Sequence, residues 1–131
     1  MPPEQLYGPT AVSVFAAASM EATLMLASAH RLIVVVEGVT DVHRLGENGI
    51  ALFGKVPSTR QIQIIRNSMG DCRGVIMLDQ DAREEVDKFY ERYETGLFDG
   101  GLVKVYLEKG DPADYSREEL WEIIKQSGGD E

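Results

Sequence analysis

Four short apolar runs, Leu32 to Val36, Ile50 to Phe53, Val75 to Leu78 and Leu102 to Leu107, are rich in β-branched residues and show little alternation with polar ones. A strand with one wetted face alternates apolar and polar residues, whereas a continuous apolar run reads as a strand buried on both sides. Between these runs lie segments of helical character, Thr40 to Glu47, Ser58 to Met69 and Ala82 to Tyr93, with Arg117 to Lys125 following the last run. Strands that alternate with crossover helices build a mostly parallel sheet covered on both faces. The expected fold class is therefore α/β, a compact sandwich of about four central strands flanked by helices.

Two of the helix starts carry reciprocal capping chemistry, Ser58 three residues before Gln61 and Ser116 three before Glu119. A further helix is expected over Thr10 to Ala29, a run of Ala, Met and Leu that follows Pro9. Ser13, Ser19, Glu21 and Thr23 interrupt that run, so it reads as a buried helix and not as a membrane span. The leader from Met1 to Pro9 offers Glu4 and no Lys or Arg, which argues against an export signal. With 131 residues, 44% of them hydrophobic, and no internal repeat or linker, residues 1–131 are expected to form a single domain with 1–8 and 127–131 as loose ends.

Cys72 is the sole cysteine, so an internal disulfide and a cysteine zinc cluster are both excluded. His30 and His43 do not complete any zinc-ligand spacing with it, and a reducing cytoplasm is the expected compartment. Thirteen Lys and Arg against 22 Asp and Glu give a formal charge of -9. Such a field repels a phosphate backbone unless a metal ion or a basic partner intervenes.

In an open parallel sheet, ligands bind outside the carboxyl ends of the strands. Here those ends are acidic: the first run is followed by Glu37-Gly38, with Asp41 a turn later, and the third by Asp79-Gln80-Asp81. Carboxylates packed together raise one another's pKa, so a cluster of this kind usually accompanies a cation. Mg²⁺ (or Mn²⁺) suits it, being held by one or two carboxylates while waters and substrate phosphates complete its octahedron. Gly38 would let the chain turn sharply and bring a phosphate or metal close to the backbone, and an extended backbone at the strand end would point Asp79 and Asp81 to one side. Singly, each acid is also explained as a cap for the following helix, a role that Asp41 and Asp81 would suit. Together, a Glu-Gly and an Asp-x-Asp behind two separate strands favour a common site.

These motifs resemble the TOPRIM domain, shared by bacterial-type primases, type IA and type II topoisomerases, small ribonucleases and recombination proteins. The likeness rests on Val-Val-Val-Glu37-Gly38-Val-Thr-Asp41 and Ile-Met-Leu-Asp79-Gln-Asp81, taken in that order. Three stretches are similar to the primase branch: Leu6-Tyr7-Gly8, Ala51-Leu52-Phe53-Gly54 with Ser58 and Gln61, and Lys109-Gly110-Asp111-Pro112-Ala113-Asp114. The resemblance implies that Glu37, Asp79 and Asp81 coordinate the divalent metal and carry catalysis, with Glu37 serving as general acid or base. Gly38 and Asp41 would support them, and Asp111 and Asp114 would lie near the site. The late acidic loop has an equally good local explanation, since Asp-Pro starts turns and Asp114 with Ser116 could introduce the last helix.

The implied function is metal-dependent nucleotidyl transfer of the primase type, RNA primer synthesis in DNA replication, with nucleotides and nucleic acid engaged through the metal. Because the chain is acidic, a basic template-binding protein partner or further primase domains are expected to complete it. A stand-alone TOPRIM nuclease that cleaves phosphodiesters is the alternative enzyme, and a non-catalytic interaction module the alternative outside enzymology. Lys55 and Arg60 could meet a phosphate but read as solvated surface charge. His43 receives no role, and Cys72 reads as packing. Arg83 to Arg92 reads as a solvated amphipathic helix, and Leu120, Trp121, Ile123 and Ile124 as a core-facing stripe.

Overall fold

The computed structural model describes residues 31–127. The expected helix over Thr10 to Ala29, the Leu6-Tyr7-Gly8 stretch and all but Ser127 of the two loose ends lie outside the described residues. Strand β1 (Leu32–Val36) leads into helix α1 (Val39–Leu45), a 3-10 turn and strand β2 (Gly49–Ala51). Then come α2 (Thr59–Met69), β3 (Arg73–Met77), a 3-10 turn at Gln80–Ala82, α3 (Arg83–Tyr93) and β4 (Leu102–Val105). A 3-10 turn at Pro112–Asp114 and helix α4 (Arg117–Gln126) follow. The four strands form one parallel sheet in the order β2-β1-β3-β4, the architecture expected from the apolar runs.

The absence of polar alternation follows from two cores, one on each face of the sheet. Ile33, Val35, Ile50, Leu52, Ile76 and Leu78 pack with Ile62, Ile65 and Met69 of α2 and Val86 and Phe89 of α3. Their chain neighbours Val34, Val36, Ala51, Val75 and Met77 pack on the other face with Val42 and Leu45 of α1 and Leu120 and Ile124 of α4. Successive side chains thus alternate between two dry environments, and both must be apolar. Trp121 and Ile123 are half-buried against the second core, and Cys72 is fully buried in the first. Burial, and then Asp71, push the Cys72 thiol up to about 12, which keeps it protonated and unreactive.

Capping behaves as expected at α2 and α4. Ser58 Oγ accepts from the Gln61 amide at 3.1 Å while Gln61 Oε1 accepts from the Ser58 amide at 2.9 Å, and Ser116 and Glu119 repeat the exchange at 3.0 and 2.8 Å. Gln61 is fully buried and also donates to the Leu52 carbonyl at 2.7 Å, so one side chain ties the helix start to the end of β2. The second strand ends earlier than its apolar run because Phe53 takes a left-handed φ of 63°. Even so, the Leu52 and Phe53 amides still donate to the Val36 and Glu37 carbonyls at 3.0 and 2.8 Å.

The position of the site follows from topology. From β1 the chain leaves through α1 toward β2, while from the neighbouring β3 it leaves through α3, on the opposite face, toward β4. Two adjacent strands whose connections diverge leave a crevice between their carboxyl ends, the place where open α/β sheets bind ligands.

Close packing at the centre of the sheet gives a direct test. A Cβ on Gly74 of β3 would overlap the ring of the buried Phe98. Gly74→Ala is expected to destabilise the fold by about 1–3 kcal/mol, as overpacked cores do. Urea unfolding reads this directly, and Gly74→Ala combined with Phe98→Leu should recover part of the loss.

Candidate metal centre

β1 and β3 pair in parallel with Val35 opposite Ile76, so Glu37 and Asp79, two and three residues further on, leave the sheet at the same edge. Val105 of β4 pairs with Met77, which brings the start of the late loop to that edge as well. The loop is then clasped from both sides. The Gln80 amide donates to the Gly110 carbonyl at 2.7 Å, and the Ala113 amide donates to Asp41 Oδ1 at 3.2 Å. Gly110 has a φ of +64°, and a Cβ there would overlap the Asp114 carboxylate, so glycine is required on both counts.

Glu37 stands at the centre. Its Oε1 is buried and has no hydrogen-bond partner. Burial raises its pKa, Asp79 adds to the rise, Lys55 pulls it back, and Asp81 and Asp111 push it up again. Asp79 behaves alike: burial raises it first, then Asp111 and Asp81, with Lys55 opposing and Asp114 adding. Asp79 precedes the 3-10 turn in an extended conformation but makes no side-chain capping bond, and the cap position of α3 is Ala82. The helix-cap explanation therefore accounts for neither acid of the Asp-x-Asp pair. A buried, unpartnered carboxylate oxygen facing other carboxylates is the donor chemistry that a hard divalent cation takes.

Asp41 differs. It is 4% exposed and accepts from the Gly38 amide at 3.2 Å through Oδ2, as well as from Ala113 through Oδ1. It caps α1 and anchors the late loop in one gesture. Burial outweighs these two amide bonds, which lower its pKa, and Asp111 and Asp79 add to the rise, so its carboxyl is raised to about 6. Asp111 and Asp114 likewise have local duties: Asp111 Oδ1 accepts from the Ala113 amide at 3.0 Å, and Asp114 Oδ2 from the Asp111 amide at 3.0 Å. The Asp-Pro start of a turn is thus borne out, Asp114 closes that turn and takes no part in capping α4, and Asp111 also acts on Asp41 and Asp79, Asp114 on Asp79.

Two local expectations are corrected. Gly38 has φ -127° and ψ 170°, ordinary extended backbone, so no sharp turn requires a glycine there. A Cβ at Gly38 would meet only Asp41 Oδ2, at 3.9 Å, so what the missing side chain provides is open space beside Glu37. The second concerns Asp81, which lies within the 3-10 turn Gln80–Ala82 and does not continue the strand. Its side chain is 77% exposed and faces Lys55 Nζ at 3.6 Å. An exposed pair of that length is worth about 0–1 kcal/mol, so Asp81 exchanges partners easily.

Among the described residues, no three carboxylate, imidazole or thiol side chains are gathered around one point as an all-protein metal cage. Mg²⁺ sites that use one or two carboxylates and fill the rest of the shell with water and phosphate need no such cage. Lys55, read from the sequence as solvated charge, proves to be the cation acting on both Glu37 and Asp79. The signal was available, because Lys55 follows β2 and so stands at the same carboxyl edge as the acids. Arg60 and His43 are exposed on their helices.

Asp41 makes folding sensitive to pH with a definite sign. Its folded pKa lies above the ordinary 3.8, so its share of stability is complete below that value and lost as pH rises through about 6. The raised values of Glu37 and Asp79 act in the same direction. At constant ionic strength, these groups should make Tm fall between about pH 4 and pH 6.5, with Mg²⁺ restoring more above that window than below it. Tm values that Mg²⁺ leaves unmoved both above and below it would contradict a metal-stabilised cluster.

No protein-family model matches the sequence, and no curated protein matches it. Solved structures do. Over 98% of its length the chain superposes on the Aquifex aeolicus primase, zinc-binding and RNA polymerase domains, with a TM-score of 0.65 and 20% identity, covering 31% of that chain. The E. coli primase catalytic core gives a TM-score of 0.59 at 20% identity over 97% of this chain and 40% of the other. A DnaG primase catalytic domain bound to ssDNA gives 0.57 at 20% identity over 95% and 39%. The chain spans 31–40% of the length of these structures and shares with that portion the four-stranded parallel α/β fold of primase catalytic cores.

Proposed function

We propose that the chain is a primase-like, divalent-metal-dependent module for nucleotidyl transfer on nucleic acid, with Glu37, Asp79 and Asp81 as the metal-holding and catalytic residues. The observation that carries this reading is the buried, unpartnered Glu37 Oε1 at the β1/β3 crevice, with Asp79, Asp81 and Asp111 all acting on the same carboxyl. The primase-core fold of the solved neighbours, one of them bound to ssDNA, supports the choice of nucleic acid as substrate.

Mg²⁺ or Mn²⁺ bound there would neutralise nucleotide phosphates and favour attack by a 3′ hydroxyl. Burial and then Asp79 raise the Glu37 pKa, the direction that favours holding a proton there before a cation binds. Asp79 is placed to share the cation, and the exposed Asp81 to join it once released from Lys55. Asp41 works through structure: it fixes the start of α1 against the late loop and so sets where Glu37 and Asp111 stand. The -9 charge favours a basic template-binding partner, or further primase domains, to supply the cations that hold a strand. Among the described residues no helix is long and apolar enough to cross a membrane.

The test uses labelled single-stranded template, ribonucleotides and Mg²⁺ or Mn²⁺, with the chain alone and with a basic primase fragment that lacks its own acidic site. Primer synthesis is expected in the combined reaction, and Glu37→Gln and Asp79→Asn should each lower it by about 10²-fold or more with the circular dichroism spectrum unchanged. Asp81→Asn should cost less, given its exposure and its position off the strand. Cleavage of the template in place of nucleotide addition would reassign the module as a nuclease. Calorimetry showing no Mg²⁺ or Mn²⁺ binding even with nucleotide present would remove the metal centre altogether.

A further inference from the structure

Beside the acidic edge runs a groove of a different character. It lies between α3 and the loop that joins β2 to α2, has a volume of about 200 Å³, and is lined by Lys55, Val56, Lys88, Arg92 and Tyr93, with the acid Glu85 also in the lining. Three cations on one groove stand out in a chain of net charge -9. Its apolar surface comes from Val56 and the half-buried Tyr93, whose ring packs 4.9 Å from the core residue Phe89 and lies 5.7 Å from the Arg92 guanidinium. Val56, at 73% exposed, and Phe53, at 37%, are the large hydrophobic residues most open to solvent among those described, and both belong to this loop.

Cations beside a partly exposed aromatic and aliphatic surface are what a nucleotide unit needs, phosphate on the charges and base against the Tyr93 ring and Val56. Pockets that enclose a whole small molecule run to about 300–1,000 Å³, so one of about 200 Å³ has room for a base-sized ring, with sugar and phosphate left to the Lys55, Lys88 and Arg92 side chains that line it.

Lys55 connects the groove to the acidic site. Its Nζ stands 3.6 Å from Asp81 Oδ1, and the loop that carries it is tied to β1 by the Phe53 amide on the Glu37 carbonyl at 2.8 Å. Phe53 holds a left-handed φ of 63°, a strained setting for an aromatic residue that turns the loop off the sheet edge. Lys88 pairs loosely with Glu84 at 3.5 Å, both ends exposed, and so is easily recruited.

We propose that this groove binds one nucleotide unit next to the metal centre, with Lys55 moving from Asp81 to the incoming phosphate. The proposal rests on the function given above and adds to it a substrate subsite built from this chain's own loop and helix. Lys55 is a substrate-binding residue that also repels a bare cation, so its removal has opposite effects on the two ligands. Lys88 and Arg92 touch only the nucleotide.

The test measures three variants of the full chain, Lys55→Met, Lys88→Met/Arg92→Met and Tyr93→Ala, against Mn²⁺ alone, a nucleoside triphosphate with Mg²⁺, and labelled oligo-dT with Mg²⁺. Lys55→Met should tighten Mn²⁺ binding several-fold and weaken both nucleotide ligands at least fivefold. Lys88→Met/Arg92→Met and Tyr93→Ala should weaken the nucleotide ligands and leave Mn²⁺ unchanged. One strand phosphate held in the groove contributes about -0.7 to the log-log salt slope for oligo-dT, and that share should be lost in the cation variants. Whichever of triphosphate or oligo-dT loses more identifies the unit as a free nucleotide or as part of a strand. Amide shifts on a ¹⁵N-labelled chain separate failure of the groove from failure of the site. Perturbation at Glu37 and Asp79 without any at Lys55, Val56 or Lys88 to Tyr93 overturns the groove and leaves the metal centre standing. Perturbation at neither overturns both. A Lys55→Met variant that binds Mn²⁺ and nucleotide more weakly alike overturns the exchange.

Discussion

Repulsion among carboxylates that the sheet partly withdraws from water is the constraint around which this molecule is arranged. Parallel pairing of β1 with β3 places Glu37 and Asp79 at one edge, and burial raises both. Nothing in the apolar cores requires acids there. The surroundings oppose the repulsion with what lies to hand: two backbone amides on Asp41, one on Asp111, one on Asp114 and the single ammonium of Lys55. The buried Glu37 Oε1 still lacks a partner. An uncompensated buried carboxylate oxygen costs stability, and an ordered water or a bound cation is the kind of contact that relieves it.

Much of this was legible in the residue order. The strand runs predicted a parallel sheet because side chains that alternate between two dry faces leave no polar signature. Ser58 with Gln61 and Ser116 with Glu119 marked two helix starts because capping is local chemistry, settled within four residues. Strand ends were less legible. The run Ile50 to Phe53 reads as strand to its last residue, yet Phe53 turns left-handed, a conformation that its own propensity does not favour.

The candidate site divides in the same way. The placing of acids from three loops at one sheet edge followed from the rule that parallel strands present their carboxyl ends together, with the acidic ends legible in the residue order. What each acid does there depended on contacts distant in sequence. Asp41 serves Ala113, 72 residues away, and no pattern around either residue announces it. Gly38 was given a conformational reason that its extended backbone does not need, because a glycine beside a site can be selected for empty space as readily as for φ. Lys55 reads as ordinary surface charge although it obeys the same strand-end rule as the acids. The rule is indifferent to sign, and a strand end presents a counter-charge as readily as an acid.

That counter-charge changes what net charge implies. A total of -9 describes the field at a distance, where it slows the approach of any polyanion. Within a Debye length of about 8–10 Å, local groups decide, and here Lys55, Lys88 and Arg92 share one groove beside the acids. The two signs are not in conflict if they take different parts of one ligand, a cation with the phosphates it carries for the acids, and phosphate and base for the groove. Lys55 sits at the boundary, paired with Asp81 at 3.6 Å. In the proposed exchange, a cation bound at the acidic edge would take over that pairing and leave the same ammonium for the anion arriving with it.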